Sequence, residues 1–481
     1  MNTNIAMPAG LRAYQNAYPE LCKGGIEDWD TSKATDMSGW FKGMHGLTIP
    51  DISRWDTSNV TNMRGMFAGV DYVLPDISNW NTSKVTDMRE MFQGCTARII
   101  PVEKWDVSKV KGFGAMFRWC CMVKRFNLSK WNTSNAENMN SLFEGCNGLE
   151  AVNLSNWDTS KVTSMTAMFS QCNILESIDI NHFNTEKVKD ISYMFRYCFN
   201  LKKIDLSKWF TYDLEHMEHM YQGCEDLIEV KMYHFNTSLV TDMSYLFAEC
   251  SSLKTVYLGN FDTSKVTNME CLFSGCNHLE KVDLSSFKTG NVTNMSHMFF
   301  HCSKIRHIDL SSFNTSQVTD MAEMFKDCAQ LVYADLSNFN TAKVDRFDSF
   351  FEGCYNLAFA DVGGFDTSSA TELTMFFSDC ESLAYIDLSN WRIKGGCSSY
   401  CMLKNCKSLV FINQPIFRDG NHGGIAIADN ANQLMKKSKD ALREGEGTGN
   451  PTWGPIGEYD EDEEEHSWNQ EYLAHDDDDD E

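Results

Sequence analysis

The chain has 481 residues, 42% hydrophobic and 23% charged, proportions of a globular protein that exclude a wholly disordered one. Its formal net charge is -25, but fifteen acids and no Lys or Arg follow Glu444, so residues 1–444 carry only -10. With no basic block to meet a phosphate backbone, nucleic acid is not an expected partner.

In chain order, Met1 to Leu21 contains no continuous apolar stretch, which predicts no secretory leader, and no later window is apolar and long enough to span a membrane. Residues 1–28, with Leu11, Tyr14, Tyr18 and Leu21, are expected to cap the open edge of the repeats that begin at Trp29. From there an aromatic recurs at Trp29, Trp55, Trp80, Trp105, Trp131, Trp157, Phe183, Trp209, Phe235, Phe261, Phe287, Phe313, Phe339, Phe365 and Trp391. The spacing is 26 residues apart from two early intervals of 25. Fifteen copies of one unit exclude three independent domains.

One unit, Leu253 to His278, reads in two halves. Leu253, Val256 and Leu258 have the spacing of a short half-buried strand. Val266, Met269, Leu272 and Phe273 recur as one face of a short helix, with Thr267 placed to N-cap it and Glu270 to close a capping box. Neither half can bury its apolar face alone, so the copies must stack. The predicted fold is an α/β solenoid over residues 29–412, of about fifteen coils, each with one short parallel β-strand and a short helix or turn.

The repeat, LxxVdLSxFdTSxVTnMsxMFxxC, resembles the BspA-like leucine-rich repeats of bacterial surface proteins. Phe287-Lys288-Thr289 with Val292-Thr293-Asn294-Met295-Ser296-His297-Met298-Phe299 is a close instance, and the resemblance extends over about residues 26–412. It implies a binding or adhesion surface with no shared catalytic residue and no cofactor.

Thirteen cysteines from Cys95 to Cys406 occupy one repeat position, which Met44 and Val70 fill in the first two copies. They read as buried core thiols, reduced and inaccessible, rather than as disulfides or a metal ladder. The Met and Phe rows read as core by the same periodicity. Asp-Thr-Ser lies in the corner between the halves, where these residues bond nearby backbone.

The middle residue of V-x-L is expected to face solvent. That row includes Asp205, Lys231, Tyr257, Asp283, Asp309 and Asp335 and continues to Asp387. Stacked carboxylates repel. The favoured reading has each Asp bonding local backbone or Ser, and the other has the row meeting a cation or a basic partner. Lys231, Tyr233 and Tyr257, flanked by Asp205 and Asp283, are the expected body-side contact, because the row changes character there. The eighth copy is the most irregular, and its His216 and His219, with His297, give only a weak metal pattern. Cys397, Cys401 and Cys406 do not match a zinc knuckle, so no metal site is assigned.

After Ile412 the repeat fails. Residues 413–444 are expected to be a C-terminal cap with a helix over Asn430 to Arg443, and 445–481 a disordered acidic tail in which Trp468 and Tyr472 are candidate docking anchors. With no Gly-rich phosphate loop, nucleophile elbow or His-Glu-x-x-His, an enzyme is not expected. The leading expectation is a protein-binding or structural scaffold, inside a cell or in an assembly such as a virion, with a protein partner that is basic if the acidic row is used. A surface adhesin is the alternative.

Overall fold

Every buried N–H and C=O must find a partner, and in a coil too short for helix or broad sheet that partner is the next coil. The computed structural model describes residues 7–45, 48–71, 73–413 and 415–417. In the second half of each unit, alternate residues donate across to the neighbour. Met295, His297, Phe299 and His301 donate to the carbonyls of Asp320, Ala322, Met324 and Lys326 at 2.8–3.0 Å. The residues between them close local three-residue turns, as Cys302 N–H does onto Phe299 C=O at 3.0 Å.

This replaces the expected helix. The segment is a run of turns, and Thr267 is not an N-cap: its N–H (2.8 Å) and hydroxyl (3.2 Å) both donate to the Thr241 carbonyl of the preceding coil. Glu270 instead accepts from the Tyr245 hydroxyl at 2.9 Å. The only α-helix among the described residues is α1 (Ala9–Ala17), which buries Leu11 and Tyr14. The Tyr14 ring lies 5.2 Å from Trp40, and its hydroxyl donates to Asp30 C=O at 2.7 Å.

Turning the chain while keeping this ladder requires left-handed backbone at two positions per coil. One row runs from Gly39 and Gly65 through Ala167 to Cys401, the other from Gly43 and Gly69 through Glu249 to Asn405, with φ between 54° and 75° throughout. Glycine takes this conformation freely, whereas residues with a Cβ pay about 1–2 kcal/mol each.

The first half supplies the strands. These are β1 (Arg125–Asn127), β2 (Ala151–Asn153), β3 (Lys203–Asp205), β4 (Glu229–Lys231), β5 (Thr255–Val256), β6 (Lys281–Val282), β7 (Tyr333–Asp335), β8 (Phe359–Asp361), β9 (Tyr385–Asp387), β10 (Arg392–Ile393), β11 (Phe411–Asn413) and β12 (Ile416–Phe417). They pair in parallel and in register as β1–β2, β3–β4, β5–β6, β7–β8, β9–β11 and β10–β12. The solenoid is as expected, but among the described residues paired strands form in ten coils rather than fifteen. Pro50, Pro75 and Pro101 sit in this half of three early copies, where a missing N–H weakens a ladder. A second set of parallel bridges, just before the Met row, runs from Asp36 to His216 and from Asp242 to Ser398. Among the described residues no bridge joins His216 to Asp242, at the irregular eighth copy, although His219, Tyr221 and Gly223 still donate to Ser244, Leu246 and Ala248 of the next coil.

Side chains complete the hydrogen bonding in rows. Thr133, Thr159 and Thr185 are 1% exposed and donate their hydroxyls to the carbonyls of Asp158, Asn184 and Phe210 in the next coil at 2.9–3.1 Å. Row cysteines donate likewise, Cys302 to Phe273 C=O and Cys328 to Phe299 C=O at 3.1 Å. Burial pushes these thiols upward, Cys198 to about 12. Indole N–H groups cover another carbonyl row: Trp131 donates to Val102 at 3.0 Å and Trp157 to Leu128 at 3.0 Å.

In five of the seven coils where Phe replaces Trp, the preceding residue bonds that carbonyl. His182 bonds to Leu154, and Asn260, Ser286, Ser312 and Asn338 donate to Met232, Leu258, Leu284 and Leu310. Trp131→Phe removes one of two bonds to the Val102 carbonyl, which keeps the Trp105 N–H at 3.1 Å, and is expected to destabilise the protein by about 0.5–1.5 kcal/mol. Adding Lys130→Ser, the arrangement of the Ser286-Phe287 coil, should recover part of that loss in urea denaturation. An equal loss in both variants would show that indole volume, not the hydrogen bond, is what matters.

The left-handed rows give a second expectation. Ala167→Gly, at φ 54°, should raise the unfolding midpoint, and Gly65→Ala should lower it by a similar amount of about 1 kcal/mol. Nothing lies within 4 Å of a Cβ built on Gly65, so that cost is conformational, and the thermal melt of each variant reads it directly.

The Asp-Thr-Ser corners titrate. The carboxylates of Asp56, Asp106 and Asp158 accept from the N–H of Ser58, Ser108 and Ser160 at 2.9 Å, and these serine hydrogen bonds hold each carboxyl below its usual range. A depressed folded-state value means stability that is present above the unfolded value, near 4, and is lost as pH falls through the folded one. Asn fills the same corner at Asn81, Asn132 and Asn184 without titrating. Replacing all three aspartates by Asn should leave the neutral-pH midpoint nearly unchanged and flatten its fall below about pH 4, as followed by melts across pH.

Candidate functional site

Most side-chain rows are absorbed by contacts between coils. The buried rings stack face to face, as Phe247, Phe273 and Phe299 do at 5.8 and 5.7 Å. On the surface, ion pairs commonly join a residue to its counterpart one coil away. Lys111–Glu137, Lys124–Glu150 and Lys189–Glu215 each pair at 2.8 Å, and Lys202–Glu176 at 3.0 Å. Stacking makes every residue a neighbour of its own repeat, and alternating the sign removes the repulsion that stacked like charges would feel.

The strand face is organised differently, and its outward positions are those expected. Asp205 is in register with Lys231, whose ammonium is 3.8 Å from Glu229. β4 lies beside β5, so Tyr257 follows Lys231 and Asp283 comes next beyond β5–β6. Tyr257 is 48% exposed. A Cβ built on Gly259 would meet its hydroxyl at 2.9 Å, so the ring crosses a position held by serine in the next coils. Tyr233 meets Tyr257 edge-on, with centroids 6.1 Å apart. The structure thus brings Asp205, Lys231, Tyr233, Tyr257 and Asp283 into one contiguous patch. Trp468 and Tyr472 lie outside the described residues, as do the expected C-terminal helix and acidic tail.

The aspartates further along bond locally, as the favoured reading holds. Asp283 and Asp309 accept from the N–H of Ser285 and Ser311 at 2.9 Å, and Asp335 from Ser337 at 3.1 Å. The serine bonds hold the Asp309 carboxyl below its usual range. Asp361, which has Gly363 in place of the serine, moves the other way: burial, then the neighbouring Asp335 and Asp387, push its carboxyl up.

Sequence reasoning missed the row beside these aspartates. Tyr333, Phe359, Tyr385 and Phe411 stand on the strand face two residues before Asp335, Asp361, Asp387 and Asn413. All four are partly exposed, and successive rings are nearly parallel with centroids 5.7, 6.4 and 5.4 Å apart. The signal was available as an aromatic recurring every 26 residues at an outward position.

The eighth copy puts aromatics at the corner as well. Phe210 and Tyr212 replace the usual Asp and Ser, and Phe210 stacks on His234 at 5.0 Å. Asn181, Asn184, Glu186, Lys208 and Phe210 line a shallow adjoining cavity of about 220 Å³. His219 is held between the rings of Tyr193 and Tyr245, 4.6 Å from each, and its Nδ1 bonds Gln222 at 2.8 Å. Among the described residues no three His, Cys, Asp or Glu side chains converge as metal ligands. Among them, too, no helix is long and apolar enough to cross a membrane.

The chain is similar in fold to a leucine-rich repeat protein from Bacteroides ovatus, with 17% identity over 63% of this chain and 76% of that one, at a TM-score of 0.38. It is also similar to a leucine-rich cell surface protein from Faecalibacterium prausnitzii, with 16% identity over 62% and 80%, at a TM-score of 0.33. No curated protein matches it. A family model described as "Mycoplasma protein of unknown function, DUF285" matches residues 12–126, 115–232, 215–334 and 319–423, and the chain, built from that repeat, belongs to the DUF285 family.

Proposed function

We propose that this protein is a non-enzymatic scaffold that binds another protein through its strand face, with Lys231, Tyr233 and Tyr257 at the centre of the contact and Asp205 and Asp283 flanking it. The observation that carries this reading is Tyr257, a 48% exposed ring on the strand face, laid across Gly259 and against Tyr233. A partly exposed aromatic on a rigid support is a common anchor of protein interfaces. The acidic segment 445–481, with Trp468 and Tyr472, would add a second, salt-sensitive contact that raises avidity toward a basic partner. We place the protein inside a cell or within an assembly such as a virion.

The repeat's likeness to BspA-like sequences favours a second reading, a surface adhesin for host or extracellular-matrix ligands. The cysteine row separates the two, because an exported chain meets an oxidising compartment.

Lys231→Ala with Tyr257→Ala is expected to weaken capture of the partner at least tenfold while leaving the unfolding midpoint unchanged. Deleting 445–481 should mainly reduce the salt dependence of capture. Unchanged capture by the double variant, together with its loss on tail deletion, would reduce the solenoid to a spacer.

A further inference from the structure

The row of Asp309, Asp335, Asp361 and Asp387 lacks the ion pairs that join many other coils at the surface. Lys111, Lys124, Lys189 and Lys202 each meet a glutamate one coil away, yet among the described residues none of these four aspartates forms an ion pair. Asp361 shows the strain of that arrangement, its carboxyl pushed up by burial and by the aspartates on either side. The coils of Asp335, Asp361 and Asp387 and the one after them carry the four-ring ribbon, with Val410 beside Phe411 68% exposed. Apolar edges and uncompensated carboxylates thus run in adjacent lines along one sheet face.

Two residues of strand separate the lines, about 6.6 Å, which is roughly the reach of a lysine or arginine stem. A side chain of that kind can lay its methylenes against a ring and place its charge at the neighbouring carboxylate. The ring faces are occupied by one another, so the contact uses ring edges and stems rather than cation–π stacking. The ribbon is roughly 17 Å long, the length of about five residues of extended chain, in which alternate residues point the same way. We propose that the strand face formed by Tyr333, Phe359, Tyr385 and Phe411 and the adjoining aspartate row binds an extended segment of another protein bearing Lys or Arg at alternate positions. This rests on the strand face being a protein-binding surface, but not on the contact at Lys231 and Tyr257.

The test uses the full-length protein and a labelled synthetic peptide with Lys at three alternate positions, its affinity read by fluorescence anisotropy at low salt. Asp335→Asn, Asp361→Asn and Asp387→Asn together should weaken binding at least tenfold. Asn already fills this row at Asn127 and Asn153 and accepts the same serine N–H, so the triple variant keeps the turn. Phe359→Ala with Tyr385→Ala should weaken it at least threefold. The same peptide with Glu in place of Lys should not bind, and the Lys231→Ala, Tyr257→Ala variant should bind as the wild type does. The proposal is overturned if the wild type does not bind, if the Glu peptide binds equally, or if the triple Asn variant loses less than threefold, which would leave the affinity to the acidic segment 445–481. A threefold loss in the Lys231, Tyr257 variant would likewise move the site off the ribbon. Failure of the ribbon leaves the Lys231–Tyr257 contact standing, and capture by that contact can fail while the peptide still binds.

Discussion

The hydrogen bond from one coil to the next is the constraint on which everything else here depends. A 26-residue coil encloses too little volume for a helix and offers too short a strand to form a sheet of its own. Its polar backbone is satisfied only when a second coil lies in register against it. That demand dictates the residue choices. The left-handed rows let alternate N–H groups point along the stack. Threonine covers a carbonyl that the backbone ladder leaves over, while tryptophan and cysteine add a second donor to carbonyls that already close a turn. In most coils the exchange of Trp for Phe brings a donor one residue earlier, so that the second bond to the carbonyl is kept when the ring changes. The same logic makes the cysteine row more than filler, since its thiols donate where a valine or methionine cannot.

The period, the buried faces and the parallel stacking were legible because burial repeats with the sequence. The helix was misread for a physical reason. Met295, Met298, Phe299 and Cys302 are buried at the spacing of a helical face, but a turn ladder with left-handed residues at His297 and His301 produces the same spacing. What distinguishes them is glycine at those two positions in the earliest coils, Gly39 with Gly43 and Gly65 with Gly69, which a helix interior would disfavour. The strand-face patch was legible because outward alternation over three residues is a strong signal. The aromatic ribbon was missed because the Asp row two residues later has the more conspicuous repeat. The hydroxyl and thiol bonds that knit the coils lie beyond sequence reasoning, since they depend on which carbonyl happens to face each donor.

A stacked repeat also constrains its own surface. In an ordinary fold an aspartate meets unlike neighbours, but here it meets the next copy of itself, and any charge written into the repeat is multiplied along the stack. Two solutions appear in this chain. One alternates the sign between coils, as in Lys124–Glu150 and Lys189–Glu215. The other, in the corners and along the strand face, gives each carboxylate a serine N–H of its own, so that the charge is held locally and not by a cation.

The second solution leaves a difference that matters for recognition. A carboxylate paired with a lysine one coil away has its charge neutralised, and a partner must break the pair to use it. A carboxylate held by a single serine N–H keeps its charge, and at Asp309 and Asp335 only one oxygen is bonded among the described residues. Such a group is oriented by the scaffold yet still able to attract a cation. At Asp361 even the serine is missing, and the cost appears in its raised carboxyl. A chain selected only for stability could have placed lysine in this row, as it did at Lys231, or asparagine, as at Asn153. Retaining aspartate in successive coils beside a ribbon of partly exposed rings gives the stack no ion pair between coils. It is the arrangement expected of a face whose counter-charge is brought by something else.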